Sequence, residues 1–225
     1  MSNIDIRMAG LGGQGVVTAA HILGTAVLDS GKYASVNPFF GAEKRLAPTE
    51  SYVRIADAPI YDKGEVLYPD VIMIFAPEVI TLGKSYTMPF YSGLKDNGLV
   101  IINSDEVILS NEEKQGLNKP GTRVFYVSAS KLAREHAGTE LATNMTMLGV
   151  LCGFLQFISL PAVLSAMEDR FSGKTKVIAS GTTGVLDEAL KNKYSKVSSM
   201  VEKNSNAITA AYNHTFALLG TSFTS

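Results

Sequence analysis

Ile4-Asp5-Ile6-Arg7-Met8-Ala9-Gly10-Leu11-Gly12-Gly13-Gln14-Gly15 is the stretch on which the fold of this chain turns. Residues 4–9 alternate apolar and polar, the period of a half-buried strand. Glycines then break that period. From residue 14 to 30 the apolar side chains Val16, Val17, Ala20, Leu23, Ala26 and Val27 recur at helical spacing, and Gly31 ends the helix. A strand, a glycine turn and a helix in that order open a doubly wound α/β sheet.

The rest of the chain follows the same logic. Residues 33–36 form a short second strand, 37–49 a loop and 51–55 a third strand. Residues 70–76 and 99–103 are nearly all apolar, as expected of parallel strands covered on both faces, and residues 123–127 add another strand. Helical patterns follow at 130–137, 143–157 and 161–171, and 176–180 are strand-like ahead of a loop at 181–184. A long, more polar helix runs from about 184 to 219. The expectation is an α/β fold with a doubly wound, mostly parallel sheet, helices on both faces and a C-terminal helical extension. All 225 residues are read as one domain.

Composition excludes several classes of function. Hydrophobic residues are 46% and charged residues 18% of the chain, enough to bury a core and unlike a disordered chain. A net charge of −1 gives no excess of Lys and Arg for a nucleic-acid surface. One cysteine, Cys152, allows neither an intrachain disulfide nor a cluster held by this chain alone, and it fits a reduced, cytoplasmic setting. His21, His136 and His214 have no metal-ligand spacing, so no metal site is expected. Residues 141–167 carry no charge, but Asn144, Thr146, Gln156, Ser159 and Pro161 favour two buried helices over a membrane span. Two such helices also suggest that a partner helps to cover them.

Gly10-Leu11-Gly12-Gly13-Gln14-Gly15 satisfies G-x-G-x-x-G between a strand and a helix. Glycine permits φ > 0, and free N–H groups at a helix N-terminus can face an anion. A dinucleotide reader also wants an acid at the end of the second strand, and 35–38 is Ser-Val-Asn-Pro. Three readings stay open at this point: a free-standing NAD(P)-dependent reductase, a site for another anion, or a turn that only packs. No Walker A motif or G-x-S-x-G elbow is present, and no catalytic residues emerge. The segment 37–51 sets Phe39 and Phe40 beside Glu43, Lys44 and Arg45, which can bury an apolar ligand and pair its anionic group, or form a solvated loop.

Taken together, Gly10 to Gly15, the Phe40-Gly41-Ala42-Glu43-Lys44-Arg45 loop leading to Ser51-Tyr-Val-Arg54-Ile55, and Pro69-Asp70 before a buried strand resemble one family. Asn144-Met145-Thr-Met-Leu148-Gly149 and Glu202-Lys-Asn204-Ser-Asn206-Ala207 fit the same pattern. The chain resembles the gamma subunit, or gamma domain, of the 2-oxoacid:ferredoxin (acceptor) oxidoreductases, over nearly its whole length. It departs where members commonly have Gly after the loop Arg, here Leu46.

The resemblance implies oxidative decarboxylation of a 2-oxoacid with coenzyme A, giving acyl-CoA, CO2 and a reduced acceptor. It implies thiamine diphosphate and [4Fe-4S] clusters on alpha, beta and delta (ferredoxin-like) partner subunits, with this chain near coenzyme A. Gly12, Gly13, Gln14 and Gly15 match the family's glycine turn, and Glu43 and Arg45 its charged loop. These six are the candidate ligand-binding residues.

Overall fold

The computed structural model describes residues 3–41, 46–172 and 184–221. The strand-like segment 176–180, the loop at 181–183, and Glu43, Lys44 and Arg45 lie outside the described residues. Among the described residues six strands form one sheet in the order β2-β3-β1-β4-β5-β6. They are β1 (Ile4–Leu11), β2 (Tyr33–Phe40), β3 (Pro48–Ala56), β4 (Val71–Ile74), β5 (Leu99–Asn103) and β6 (Arg123–Val127). β1, β4, β5 and β6 are parallel to one another, and β2 and β3 are an antiparallel pair added beside β1. From β1 the chain winds to one side and then, after β3, to the other, so the switch point lies between β1 and β4.

The expected loop over 37–49 is therefore mostly strand. β2 runs on to Phe40 and β3 begins at Pro48, with Phe40 opposite Thr49. Pro38 is tolerated because β2 is an edge strand, where a missing N–H can face outward.

Among the described residues one face of the sheet carries five helices: α1 (Val16–Asp29), α4 (Ala129–Ala137), α5 (Thr143–Leu155), α6 (Leu160–Ser172) and α7 (Gly184–Thr221). The other carries two short helices, α2 (Glu78–Thr81) and α3 (Asn111–Gly116), with irregular segments between them. α3 begins at a capping box in which Ser110 and Glu113 satisfy each other's backbone N–H groups. Its sequence lacks an apolar stripe, so periodicity did not reveal it.

No partner is needed to cover α5. α7 lies against it closely enough that a Cβ on Gly149 would stand 2.5 Å from the Ile208 carbonyl oxygen, and one on Gly153 2.7 Å from Thr215 Cβ. α6 buries only Val163, Ala166 and Met167 and turns its polar residues outward. Among the described residues no helix is long and apolar enough to cross a membrane.

Of the alternating polar residues of β1, Asp5 is half-buried and Arg7 does not face water. Arg7 is 2% exposed and donates to the carbonyls of Val66 (2.6 Å), Ser92 (2.9 Å), Phe90 (3.3 Å) and Leu67 (3.4 Å). On β3, Glu50 is fully buried and accepts from Ser85 Oγ (2.6 Å), Tyr52 Oη (2.7 Å), the Tyr86 and Thr87 N–H groups (both 2.9 Å) and Thr87 Oγ1 (3.0 Å). The two charges attract each other across the β1–β3 pair. Irregular backbone over a sheet leaves peptide groups in want of partners. Arg7 takes up carbonyls from both covering segments and Glu50 takes up N–H groups from one. Asp70 ties β4 to β1, its N–H donating to Asp5 O (2.7 Å) and its carboxylate accepting from Asp5 N and Lys95 Nζ (both 2.8 Å).

Burial alone would raise the Glu50 pKa. The hydrogen bonds from Ser85, Thr87 and Tyr52 outweigh it and hold the carboxyl below its ordinary value. That stabilisation is present above the unfolded glutamate pKa, about 4.3, and is lost as pH falls through the lower folded value. Urea unfolding from pH 7 into the acid range should show Glu50→Gln less stable than wild type at neutral pH, the gap narrowing below about pH 4. A gap independent of pH would contradict the assignment.

Candidate functional site

The glycine turn is closed by its own atoms. Gln14 N–H donates to Leu11 O (3.1 Å), and Gln14 Oε1 accepts from Leu11 N–H (2.9 Å). Gly13 and Gly15 have φ of 93° and 74°. Gly10 serves packing, since a Cβ there would stand 2.7 Å from Val16 Cγ2. Gly15 is the N-cap of α1 with no side-chain hydrogen bond. Two of the candidate residues, Gly12 and Gln14, thus shape the turn with their polar groups. Gly13 and Gly15, with the first turn of α1, present the α1 N-terminus, whose opening N–H groups lack intrahelical partners.

Two distant segments clamp this turn. Across the antiparallel pair, Gly12 N–H donates to Ala47 O (2.8 Å) and Leu46 N–H to Gly12 O (3.3 Å). From α5, Asn144 Nδ2 donates to Gly15 O (3.3 Å), while Asn144 Oδ1 accepts from Met145 N–H (3.0 Å). The sequence motif around Asn144 is therefore part of the same site. The segment holding Glu43 and Arg45 is bracketed by Gly41 and by Leu46, which touches the turn, but both residues lie outside the described ones.

A cleft of about 390 Å³ opens in front of the turn. Gly13, Gln14, Gly15 and Asn144 form one side, and Phe75 to Glu78, beyond β4, form another. Asn103, at the end of β5, Ser130 and Thr143 complete its polar lining. Asn103 is buried and held by Phe75 O (3.0 Å), Ser130 Oγ (3.3 Å) and Ala129 N–H (3.1 Å). The cleft thus lies outside the carboxyl ends of the strands at the switch point, the usual ligand position in open α/β sheets. The α1 N-terminus favours an anionic group there. Glu140 on the rim is neutralised by Arg134 at 2.9 Å, whereas Glu78 has no such partner among the described residues. Asn103, Ser130, Thr143 and Glu78 carry no sequence motif, because only the sheet order brings them together.

Among the described residues the geometry gives the NAD(P) reading no support. In a dinucleotide fold the ribose acid stands at the end of the parallel strand beside β1. That place is taken by antiparallel β3, whose nearest acid, Glu50, is buried and bonded on both oxygens. Cys152 is fully buried with its thiol pushed up to about 12 by desolvation, so it offers no thiolate. His21 is held toward its neutral form by burial and by Arg170.

Comparison with known proteins bears on the same regions. The family described as pyruvate ferredoxin/flavodoxin oxidoreductase matches residues 5–185. A curated relative, the pyruvate/ketoisovalerate oxidoreductases common subunit gamma of Thermococcus kodakarensis, is 38% identical over 171 residues, 76% of this chain and 88% of that one. Among solved structures, the pyruvate oxidoreductase subunit PORC of Thermotoga maritima shares the fold with a TM-score of 0.66 at 21% identity, covering 95% of this chain and 97% of that one. The 2-oxoglutarate:ferredoxin oxidoreductase of Magnetococcus marinus, solved with 2-oxoglutarate, coenzyme A and succinyl-CoA bound, matches with a TM-score of 0.61 at 21% identity, covering 90% of this chain and 31% of that one.

Leu46, where the resemblance leads one to expect Gly, adopts φ 58° while 65% exposed. This is the left-handed region, and a side chain is strained into it at a cost of roughly 1–2 kcal/mol. Leu46→Gly is expected to stabilise the chain in urea unfolding by up to about 1 kcal/mol, and Leu46→Ala is not. At Gly15 a Cβ would stand 2.2 Å from Asn144 Nδ2 as well as at positive φ. Gly15→Ala should therefore destabilise by about 2 kcal/mol or more, and adding Asn144→Ala should return the steric part but not the backbone part. Simple additivity of the two substitutions would show that they are not in contact.

Proposed function

The chain belongs to the pyruvate ferredoxin/flavodoxin oxidoreductase family, as a gamma subunit of a 2-oxoacid ferredoxin oxidoreductase, and from that premise we propose that it forms the coenzyme A side of the catalytic cleft. In this reading the assembled, cytoplasmic enzyme converts a 2-oxoacid and coenzyme A to acyl-CoA, CO2 and a reduced acceptor. Thiamine diphosphate supplies the decarboxylation chemistry and [4Fe-4S] clusters the electron path, both on alpha, beta and delta-type partner subunits. Cluster ligation needs several thiolates. With one cysteine, buried in α5, this chain has no thiolate set for a cluster, and in this reading the catalytic groups stand on its partners.

The observation that carries the proposal is the α1 N-terminus, opening through Gly13 and Gly15 onto a cleft at the switch point. Backbone N–H groups there suit a phosphate group of coenzyme A. Gly12 and Gln14 hold the turn in shape, and Ala47 and Asn144 fix it from outside. Arg45 and Glu43 enter as the charged partners of the same ligand, Arg45 pairing with phosphate. Glu78 bounds the cleft and disfavours anionic groups placed too deep. The coenzyme A bound in the Magnetococcus marinus enzyme motivates the choice of ligand.

Arg45→Ala in the assembled enzyme is expected to raise the KM for coenzyme A about tenfold or more, the scale of one charge-assisted hydrogen bond, and to leave the 2-oxoacid KM unchanged. Unchanged coenzyme A KM and kcat would overturn the ligand role and leave Arg45 an interface residue.

A further inference from the structure

At the same end of the sheet as the glycine turn, Phe39, Leu82, Tyr86 and Met88 are all exposed, Leu82 by 65% and Met88 by 57%. They form one patch. Phe39 lies opposite Glu50 in the β2–β3 register, and the Glu50 carboxylate holds the Ser85, Tyr86 and Thr87 segment. That brings the Tyr86 ring edge-on to Phe39 at 4.7 Å. Met88 folds back toward Gly83, where its Cε would stand 3.5 Å from an added Cβ, next to Leu82. Phe40, which ends β2, and Leu46, two residues before β3, are also exposed. The patch is fixed by a buried carboxylate with five hydrogen bonds, so its side chains are displayed on ordered backbone and little ordering remains to be done on association.

Resting on the gamma-subunit reading above, we propose that this Phe39–Leu82–Tyr86–Met88 patch seats another subunit of the oxidoreductase, one presenting an apolar face with a carboxylate opposite Lys84. The charges select that occupant. Between residues 82 and 88 Lys84 is the one charged side chain, and it makes no salt bridge among the described residues. Among the described residues no acid of β2, β3 or the 82–88 segment is exposed to receive it, since Glu50 is buried and bonded on both oxygens. A second copy of this chain, meeting the patch by two-fold symmetry, would bring a second Lys84 to the same apolar surface instead of an acid. The patch also leads into the cleft, because Leu82 caps the helix that starts at Glu78, which lines it. The subunit seated there forms the missing wall of the ligand cleft.

The test is co-purification from cells expressing the full set of subunits, with the tag on this chain. Wild type is expected to bring down cluster-bearing and thiamine diphosphate-binding chains. Leu82→Glu/Met88→Glu should unfold at the wild-type temperature, since both side chains are exposed, yet capture those chains at least tenfold less. Lys84→Glu should weaken capture as well. Tyr61→Glu, in the groove beside Asn3 and Ala56 at the opposite end of the sheet, should capture normally. Capture by the double variant at the wild-type level overturns the proposal. So does sedimentation showing that the patch joins two copies of this chain while the mixed complex survives its substitution. A wild-type chain that brings down no such subunits refutes the parent reading instead, and the two failures are thereby told apart.

Discussion

β3 runs antiparallel beside β1, from Ile4 opposite Ile55 to Leu11 opposite Pro48, and the carboxyl end of the sheet is organised around that pairing. It delivers Ala47 and Leu46 to the backbone of Gly12, which fixes the turn from the outside. It fills the position where a dinucleotide fold keeps its second parallel strand and ribose acid. It also sets Glu50 over the sheet, where the carboxylate gathers the 85–87 segment and orients the aromatic patch. A shift of the register by one residue would reverse every side chain on the strand, placing Glu50 and Tyr52 among the helices and Val53 and Ile55 under the loops.

The two faces of the sheet are covered by different means. Under the helices, packing is apolar and close, and Gly149 and Gly153 let the α7 backbone approach α5. Under the irregular segments, two buried charges stand where a helix would satisfy its own peptide groups. Removing one member of such a buried charged set costs about 3–5 kcal/mol, because the groups left behind stay dry and unpaired. The resulting frame is stiff on both sides of the cleft, as a site that relies on backbone N–H groups requires. Asn144 and Asn103 extend it to the helical face, each joining segments far apart in sequence.

Much of this was legible in the residues, and the gaps have physical causes. The apolar run at 99–103 and the strand read at 123–127 match β5 and β6 to the residue, and the helices at α4, α5 and α6 agree within two residues. Phe39 and Phe40 misled, because Pro38 and Gly41 read as loop punctuation while an edge strand accommodates that proline. Arg7 misled as well: alternation suggests a solvent face, and nothing local indicates that loops from 66–67 and 90–92 will cover it. α2 is too short for a period, and α3 advertised itself only by its capping box. In the site, the glycine turn was readable because its chemistry is contiguous. Asn103, Ser130 and Glu78 were not, since they meet only through the strand order. Asn144 was noticed as part of a family pattern, but its reason, the bond to Gly15, is a contact across 129 positions.

Amide hydrogen exchange of the assembled enzyme, with and without coenzyme A, tests the central claim most directly. The account predicts slower exchange at the amides of Gly13, Gly15 and Val16 when coenzyme A is present, with the Gly12 amide already protected by Ala47 in both states. Unchanged exchange through the turn, with coenzyme A protection confined to the partner subunits, would contradict it.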